Sequence, residues 1–184
     1  MEEWKTYKFK DITTKIGSGA TPSGGKESYL GGDIALIRSQ NVLDLSFSCD
    51  GLAYISDEQA QKLSNVELCP NDTLINITGD SVARVCTVPS WVLPARVNQH
   101  VAIVRPDNSK VANKYLTYYL LTQKEFLISI SASGATRKAL TKGMLEDLDI
   151  LLPPVEYQEK VVSILSSFDD KIDLNNRINH NLPS

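Results

Sequence analysis

At 184 residues, with 42% apolar residues and a formal net charge of −3, the chain suits one globular domain with a real core plus an appended element. No apolar run is long enough to cross a membrane, no charged-then-apolar leader is read at Met1, and His100 and His180 alone make no zinc cluster at a recognisable spacing. A pI near 5.4 sets the chain apart from autonomous DNA-binding domains, whose affinity rests largely on basic contacts to phosphate, so composition by itself suggests a soluble intracellular domain.

In chain order, Trp4, Phe9, Ile12 and Ile16 have the spacing of one or two helical turns packed on a core. Gly17 to Gly25 is punctuated too densely by glycine and proline for regular structure and reads as a loop. Asp33 to Arg38 reads as a strand entering Ser39, Gln40 and Asn41. Ser56 with Gln59 three residues on predicts a capping box for a short helix through Leu63. Strands follow at Thr73 to Thr78, ending at the Gly79-Asp80 turn, at Val82 to Val88, and at Val97 to Val104. Asn113 is placed to cap a helix through Tyr115, Tyr118, Tyr119, Phe126 and Ile130. A short apolar strand is expected at Leu148 to Leu152, before Pro153 and Pro154. The predicted fold class is α+β, with short strands, helices and long loops and without βαβ regularity.

From Val155 the pattern changes. Val161, Ile164, Leu165, Phe168, Ile172, Ile178 and Leu182 recur at three- and four-residue steps, close to a heptad seam. Asn175 occupies a seam position, where a polar residue fixes register at some cost in stability. Residues 155 to 182 would extend about 40 Å as a helix, longer than a small domain needs; the competing reading is a helix packed back on its own domain.

Catalytic motifs are missing. Gly19 to Lys26 fails the phosphate-loop pattern at Ala20 and at Glu27. Pro153 and Pro154 lack the flanking residues of an adenine methyltransferase motif and suit a helix boundary instead. Asp169, Asp170 and Lys171 sit on a predicted helix, where a solvated charged face is the expected reading, far in sequence from Asp107. Cys49, Cys69 and Cys86 are odd in number and far apart, and read as small buried residues rather than as a disulfide framework.

Four polar loops have the chemistry to meet a duplex. Ser18, Gly19, Thr21 and Ser23 form a glycine-rich loop that permits close backbone approach to a phosphate, or is simply a turn. Arg38, Ser39, Gln40 and Asn41 follow a strand. Arg pairs with guanine, and Gln or Asn with adenine, in the major groove, while strand-end capping is the plainer role. Thr78 and Arg84 flank a hairpin tip. Asn98 and Gln99 are read as tying the fold together through buried backbone. Thr136, Arg137 and Lys138 combine a hydroxyl with adjacent cations on flexible backbone, suited to phosphate anchoring or to an exposed turn.

Taken in order, these segments resemble a known family. Gly19-Ala20-Thr21-Pro22-Ser23 near the start, Arg96-Val97-Asn98-Gln99-His100, Gly134 to Lys138 leading into Leu140, the short strand, the two prolines and the amphipathic helix from Glu156 are similar to a target recognition domain with its spacer helix. The family is that of the specificity subunits of type I restriction-modification systems. Ala20 departs from it where a second glycine is common. The resemblance implies a recognition domain at residues 1–153 and a spacer or dimerisation helix at 154–184. It implies a non-catalytic, cytoplasmic subunit that reads one half of a bipartite target in double-stranded DNA. The partners it implies are a methyltransferase subunit using S-adenosylmethionine, an endonuclease subunit using ATP and Mg, and a second copy or repeat. The helix would meet its partner through Val161, Leu165, Phe168, Ile172, Asn175, Ile178 and Leu182. Two other readings stay open: a recognition module of another DNA-modifying enzyme, and a protein-interaction domain with a coiled-coil tail.

Overall fold

Alternate residues of the central strands face two different cores, and the architecture follows from that. A computed structural model describes residues 3–22, 31–132 and 138–181, except for the side chains of Asp173, Arg177, His180 and Asn181. Strands β2 (Thr13–Ser18), β8 (Val101–Pro106), β5 (Thr73–Asn76) and β6 (Val85–Thr87) form an antiparallel sheet in the order β2-β8-β5-β6. From its middle strands, Ile75, Ala102 and Val104 enter one core, while Leu74, Val101 and Ile103 enter the other, as the two-residue period of a strand requires. A sheet buried on both faces reads as a continuous apolar run, which is why Val101 to Val104 does.

The first core is closed by helices α1 (Phe9–Ile12), α3 (Tyr115–Thr122), α4 (Lys124–Ser131) and α5 (Lys142–Glu146), which contribute Phe9, Ile12, Leu116, Leu120, Leu127 and Leu145. The second is closed by a three-stranded sheet, β4-β3-β7, made of β4 (Ala53–Ile55), β3 (Ile34–Ile37) and β7 (Ala95–Val97). Near it lies α2 (Asp57–Lys62), started by the expected Ser56–Gln59 capping box. The two ends of the domain are tied by β1 (Lys5–Lys8) pairing with β9 (Asp149–Leu152), reinforced by a 2.8 Å ion pair between Lys8 and Asp149. Helices and mostly antiparallel strands without βαβ units make the α+β class expected from the sequence.

Several expectations need correction. Only Phe9–Ile12 of the 4–16 segment is helical, because the flanking residues are drawn into β1 and β2. The strand expected at Val97 to Val104 is two strands. Asn98 Oδ1 accepts from the His100 N–H at 3.0 Å, a side-chain turn that reverses the chain between sheets. The helix expected from Asn113 begins instead after Lys114, which stands at φ +66° without a side-chain cap, and it breaks at Gln123 into α3 and α4. Of the cysteines only Cys86 is buried, and burial pushes its thiol up to about 12; Cys49 is exposed and Cys69 half-buried.

The last element, α6 (Val155–Asn181), follows the two prolines. Its start is locked by the buried Gln158, whose amide accepts from Ala112 N–H at 3.0 Å and donates to the carbonyls of Lys110 and Pro153. Asp169 is no freely solvated charge, since it accepts from the Tyr118 hydroxyl, which also lies 3.2 Å from Ser166. Val162, Leu165, Ser166 and Asp169 are all half-buried on this side of the helix. From Asp170 onward every described side chain is exposed, so the helix is packed at its start and free at its end.

Candidate nucleic-acid interface

Strand register brings the predicted loops together. Ser18 at the end of β2 pairs with Ala102 at the start of β8, and Val101 pairs with Asn76 at the end of β5. Ile37 at the end of β3 pairs with Val97 at the end of β7, and Leu36 pairs with Ala53 at the start of β4. Residues 19–22 and the connections 38–52, 77–84 and 98–100 therefore leave the two sheets at one common end. Residues beyond α4 join them there: Gly79 N–H donates to the Lys138 carbonyl at 3.1 Å, Thr78 bridges to Ala139, and Leu140 N–H donates to Ile77 O at 2.8 Å.

A chain of side-chain hydrogen bonds crosses this end. Thr21 donates its hydroxyl proton to Gln99 Oε1; Gln99 Nε2 lies 3.1 Å from His100 Nε2; His100 Nδ1 lies 2.6 Å from Thr78 Oγ1. An amide nitrogen only donates, so His100 Nε2 is the acceptor. A neutral imidazole then carries its proton on Nδ1 and gives it to Thr78. Gly19 fixes the entry to this arrangement. Its N–H donates to Asn98 O at 3.1 Å, and a Cβ in its place would stand 1.7 Å from the Val97 carbonyl oxygen, a close approach only glycine permits.

The second loop is built differently. Asn41 is fully buried; its Oδ1 accepts from Arg38 N–H at 3.0 Å, and its amide nitrogen donates to Ser48 O at 2.9 Å and Asp50 O at 3.3 Å. Gln40 Nε2 donates to Asp50 O at 2.9 Å, and the Arg38 guanidinium donates to Gly51 O. Ser39 accepts at its carbonyl from Asn76 Nδ2 at 2.9 Å. Asn41 thus has no reach to an external ligand, and Arg38 and Gln40 hold the 48–51 segment in place. The plainer alternative, side chains finishing a strand end, is what this loop displays.

Among the described cations at this end, Lys138 is exposed and Arg84 half-buried, and neither side chain has a hydrogen bond or ion pair among the described residues. Asp50 and Asp80 are exposed at the same end, so the charge is mixed rather than uniformly basic. Ser18 and Thr21 are exposed, and Thr78 is half-buried. Ser23, Thr136 and Arg137 lie outside the described residues. Gln99 is expected from the sequence to bond buried backbone. Its side chain is exposed and links loops instead, while Asn98 is buried as expected. The available signal was position: a Gln-His pair in a three-residue reversal between two apolar strands.

On α6, Val161, Phe168, Ile172 and Ile178 form an apolar stripe between 41% and 57% exposed, with Asn175 also exposed. Ile164 belongs to the same stripe, whereas Leu165 turns toward the domain. Leu182 lies outside the described residues.

The whole chain, residues 1–184, matches the family model described as type I restriction modification DNA specificity domain. It is 30% identical over 181 residues to the MjaIX specificity subunit of a type I restriction enzyme from Methanocaldococcus jannaschii, a match covering 94% of this chain and 39% of that protein. It is 23% identical over 189 residues to the HindI specificity subunit from Haemophilus influenzae, covering 99% and 39%. In fold it resembles the HsdS subunit from Thermoanaerobacter tengcongensis, with TM-score 0.65 and 21% identity over 95% of this chain and 39% of that one. It also resembles a chain from a structural study of type I R-M complex assembly and conformational transition, with TM-score 0.71 and 22% identity over 95% and 40%. The chain spans about two fifths of the length of each of these proteins.

Proposed function

The chain belongs to the type I restriction modification DNA specificity family, and from that premise we propose that it reads one half of a bipartite DNA target for a methyltransferase and restriction complex. The observation that carries this reading is the convergence of residues 19–22, residues 138–140 and the connections 38–52, 77–84 and 98–100 at one end of two sheets, presenting Thr21, Thr78, Gln99 and Lys138 together. A duplex needs such an arrangement: base edges are read by polar groups held within hydrogen-bond reach, while cations anchor the backbone. We read residues 1–153 as the recognition domain and 154–184 as the spacer helix.

The chemistry belongs, in this reading, to other subunits. A methyltransferase subunit supplies S-adenosylmethionine chemistry and an endonuclease subunit supplies ATP- and Mg-dependent cleavage. Among the described residues no group of three metal-ligating side chains occurs, and no helix is long and apolar enough to cross a membrane. We place the protein in the cytoplasm, where its DNA lies. The exposed stripe on α6 takes a second helix of the same kind, from another copy or another repeat, and offers a docking surface to the methyltransferase. The acidic net charge fits a subunit that binds DNA tightly only within a complex, because a partner adds phosphate contacts that its own few cations do not supply.

The test is methylation mapping. Adenine methylation sequenced in cells with and without this chain should differ at one split motif, one half of which is lost with the chain. Identical methylomes would reject the proposal.

A further inference from the structure

Gln99 stands out at the converging end because its side-chain amide is half engaged and held between two loops. It is exposed, in the tight connection between β7 and β8, with the Thr21 loop on one side and the Thr78 hairpin on the other. An amide oxygen has two acceptor positions and an amide nitrogen two protons. Thr21 occupies one acceptor position and His100 Nε2 takes one proton. One acceptor position and one N–H therefore remain on this exposed side chain.

That remainder matches one base edge. Adenine offers the N6 amino group as donor and N7 as acceptor in the major groove, and a Gln amide meets both at once. Guanine offers two acceptors there, which would set N7 or O6 against the amide oxygen. We propose that Gln99 is a specificity-determining residue that reads an adenine edge, its amide held between Thr21 on one side and the His100–Thr78 pair on the other. This rests on the DNA-recognition reading above and sharpens it to one residue and one base.

The bracing matters physically. A free Gln side chain rotates about its last bond and presents oxygen or nitrogen to either partner, so its preference averages out. With Thr21 donating to Oε1 and His100 accepting from Nε2, a flip requires the Thr21 hydroxyl to rotate and the His100 imidazole to change tautomer together. The chain Thr21–Gln99–His100–Thr78 thus holds the amide at both ends and restricts its rotation. Loss of rotational freedom before DNA arrives is the usual route to a strong preference from a single contact.

The test is selection from a pool of random duplexes, using the full chain with a type I methyltransferase subunit, followed by sequencing of the bound DNA. Wild type should enrich a motif in which Gln99→Ala lowers the preference for adenine at one position at least about fivefold, leaving the other positions intact. Gln99→Glu should move that position toward cytosine, whose N4 amino group donates to a carboxylate. Thr21→Val should blur the same position. The inference is overturned if Gln99→Ala keeps every position, or if it weakens all positions alike, which is the mark of a folding or anchoring role. Wild type enriching no motif would reject the recognition reading itself, and the inference with it.

Discussion

The hydroxyl of Tyr118 on α3 donates to the carboxylate of Asp169 on α6, and this bond marks the place where the long helix leaves the domain. Before it the helix carries half-buried side chains; beyond it every described side chain is exposed. Burial, then the bond to Asp169, pushes the Tyr118 phenol up to about 12.

Tyr118→Phe should leave the domain folded, lower its stability by about 1 kcal/mol, and speed amide exchange in the helix around Ser166 to Asp170. The pH dependence has a definite sign. The folded phenol titrates higher than an unfolded tyrosine near 10, so its contribution is complete below about pH 10 and is lost as pH rises toward 12. Chemical denaturation at several alkaline pH values should show that loss in wild type and a smaller one in the variant. Equal alkaline slopes would separate Tyr118 from the helix anchor.

Phe168→Asp places a charge on the exposed stripe of α6. Since Phe168 is 57% exposed, the stability of the isolated chain should change by no more than about 0.5 kcal/mol, the range of ordinary surface changes. Helix-mediated self-association or methyltransferase docking should be lost, because a buried unpaired charge is costly in the joined state. Sedimentation and pull-down read the outcome. Unchanged association would move the interface off this stripe.

Two neighbouring glycines should behave oppositely. Gly19→Ala drives a Cβ into the Val97 carbonyl and should cost about 1–3 kcal/mol, with the loop displaced and DNA binding weakened. A Cβ at Gly17 meets nothing within 4 Å, so Gly17→Ala should be close to neutral. Thermal melts of the pair decide this, and equal effects would remove Gly19 from the account of the loop.

The second loop and Lys138 should separate cleanly as well. Asn41→Ala removes buried bonds to three backbone groups and should destabilise the domain by about 1–3 kcal/mol, relaxing base preference only through the misplaced loop. Lys138→Ala should leave the melt unchanged, weaken binding to all duplexes alike, and flatten the salt dependence by about one unit. A lowered melt for Lys138→Ala, or an unchanged one for Asn41→Ala, would reverse these assignments.

Much of this was legible in the sequence where a local signal exists. The capping box of Ser56 and Gln59, the β-branched run of β5 and the three- and four-step seam of α6 are all local. What the sequence hid is register. β2 pairs with β8 across some ninety residues, Thr13 with Pro106, so nothing local says that Thr21 will lie beside Gln99. The break inside Val97 to Val104 was masked because apolar residues continue on both sides of a three-residue turn. On α6 the spacing admitted both Ile164 and Leu165 to the seam. Gln158 and Asp169 decided between them by fixing which side faces the domain, and their bonds are to residues far away in the chain.

The central claim, that one end of the two sheets meets DNA, is tested most directly by hydrogen–deuterium exchange of the assembled complex with and without the duplex it selects. Protection should concentrate in the described parts of the connections 19–22, 38–52, 77–84 and 98–100 and at 138–140. The opposite end, around the Arg105–Asp72 ion pair and residues 107–114, should be unaffected. Protection at that opposite end, with the converging loops unchanged, would contradict the account.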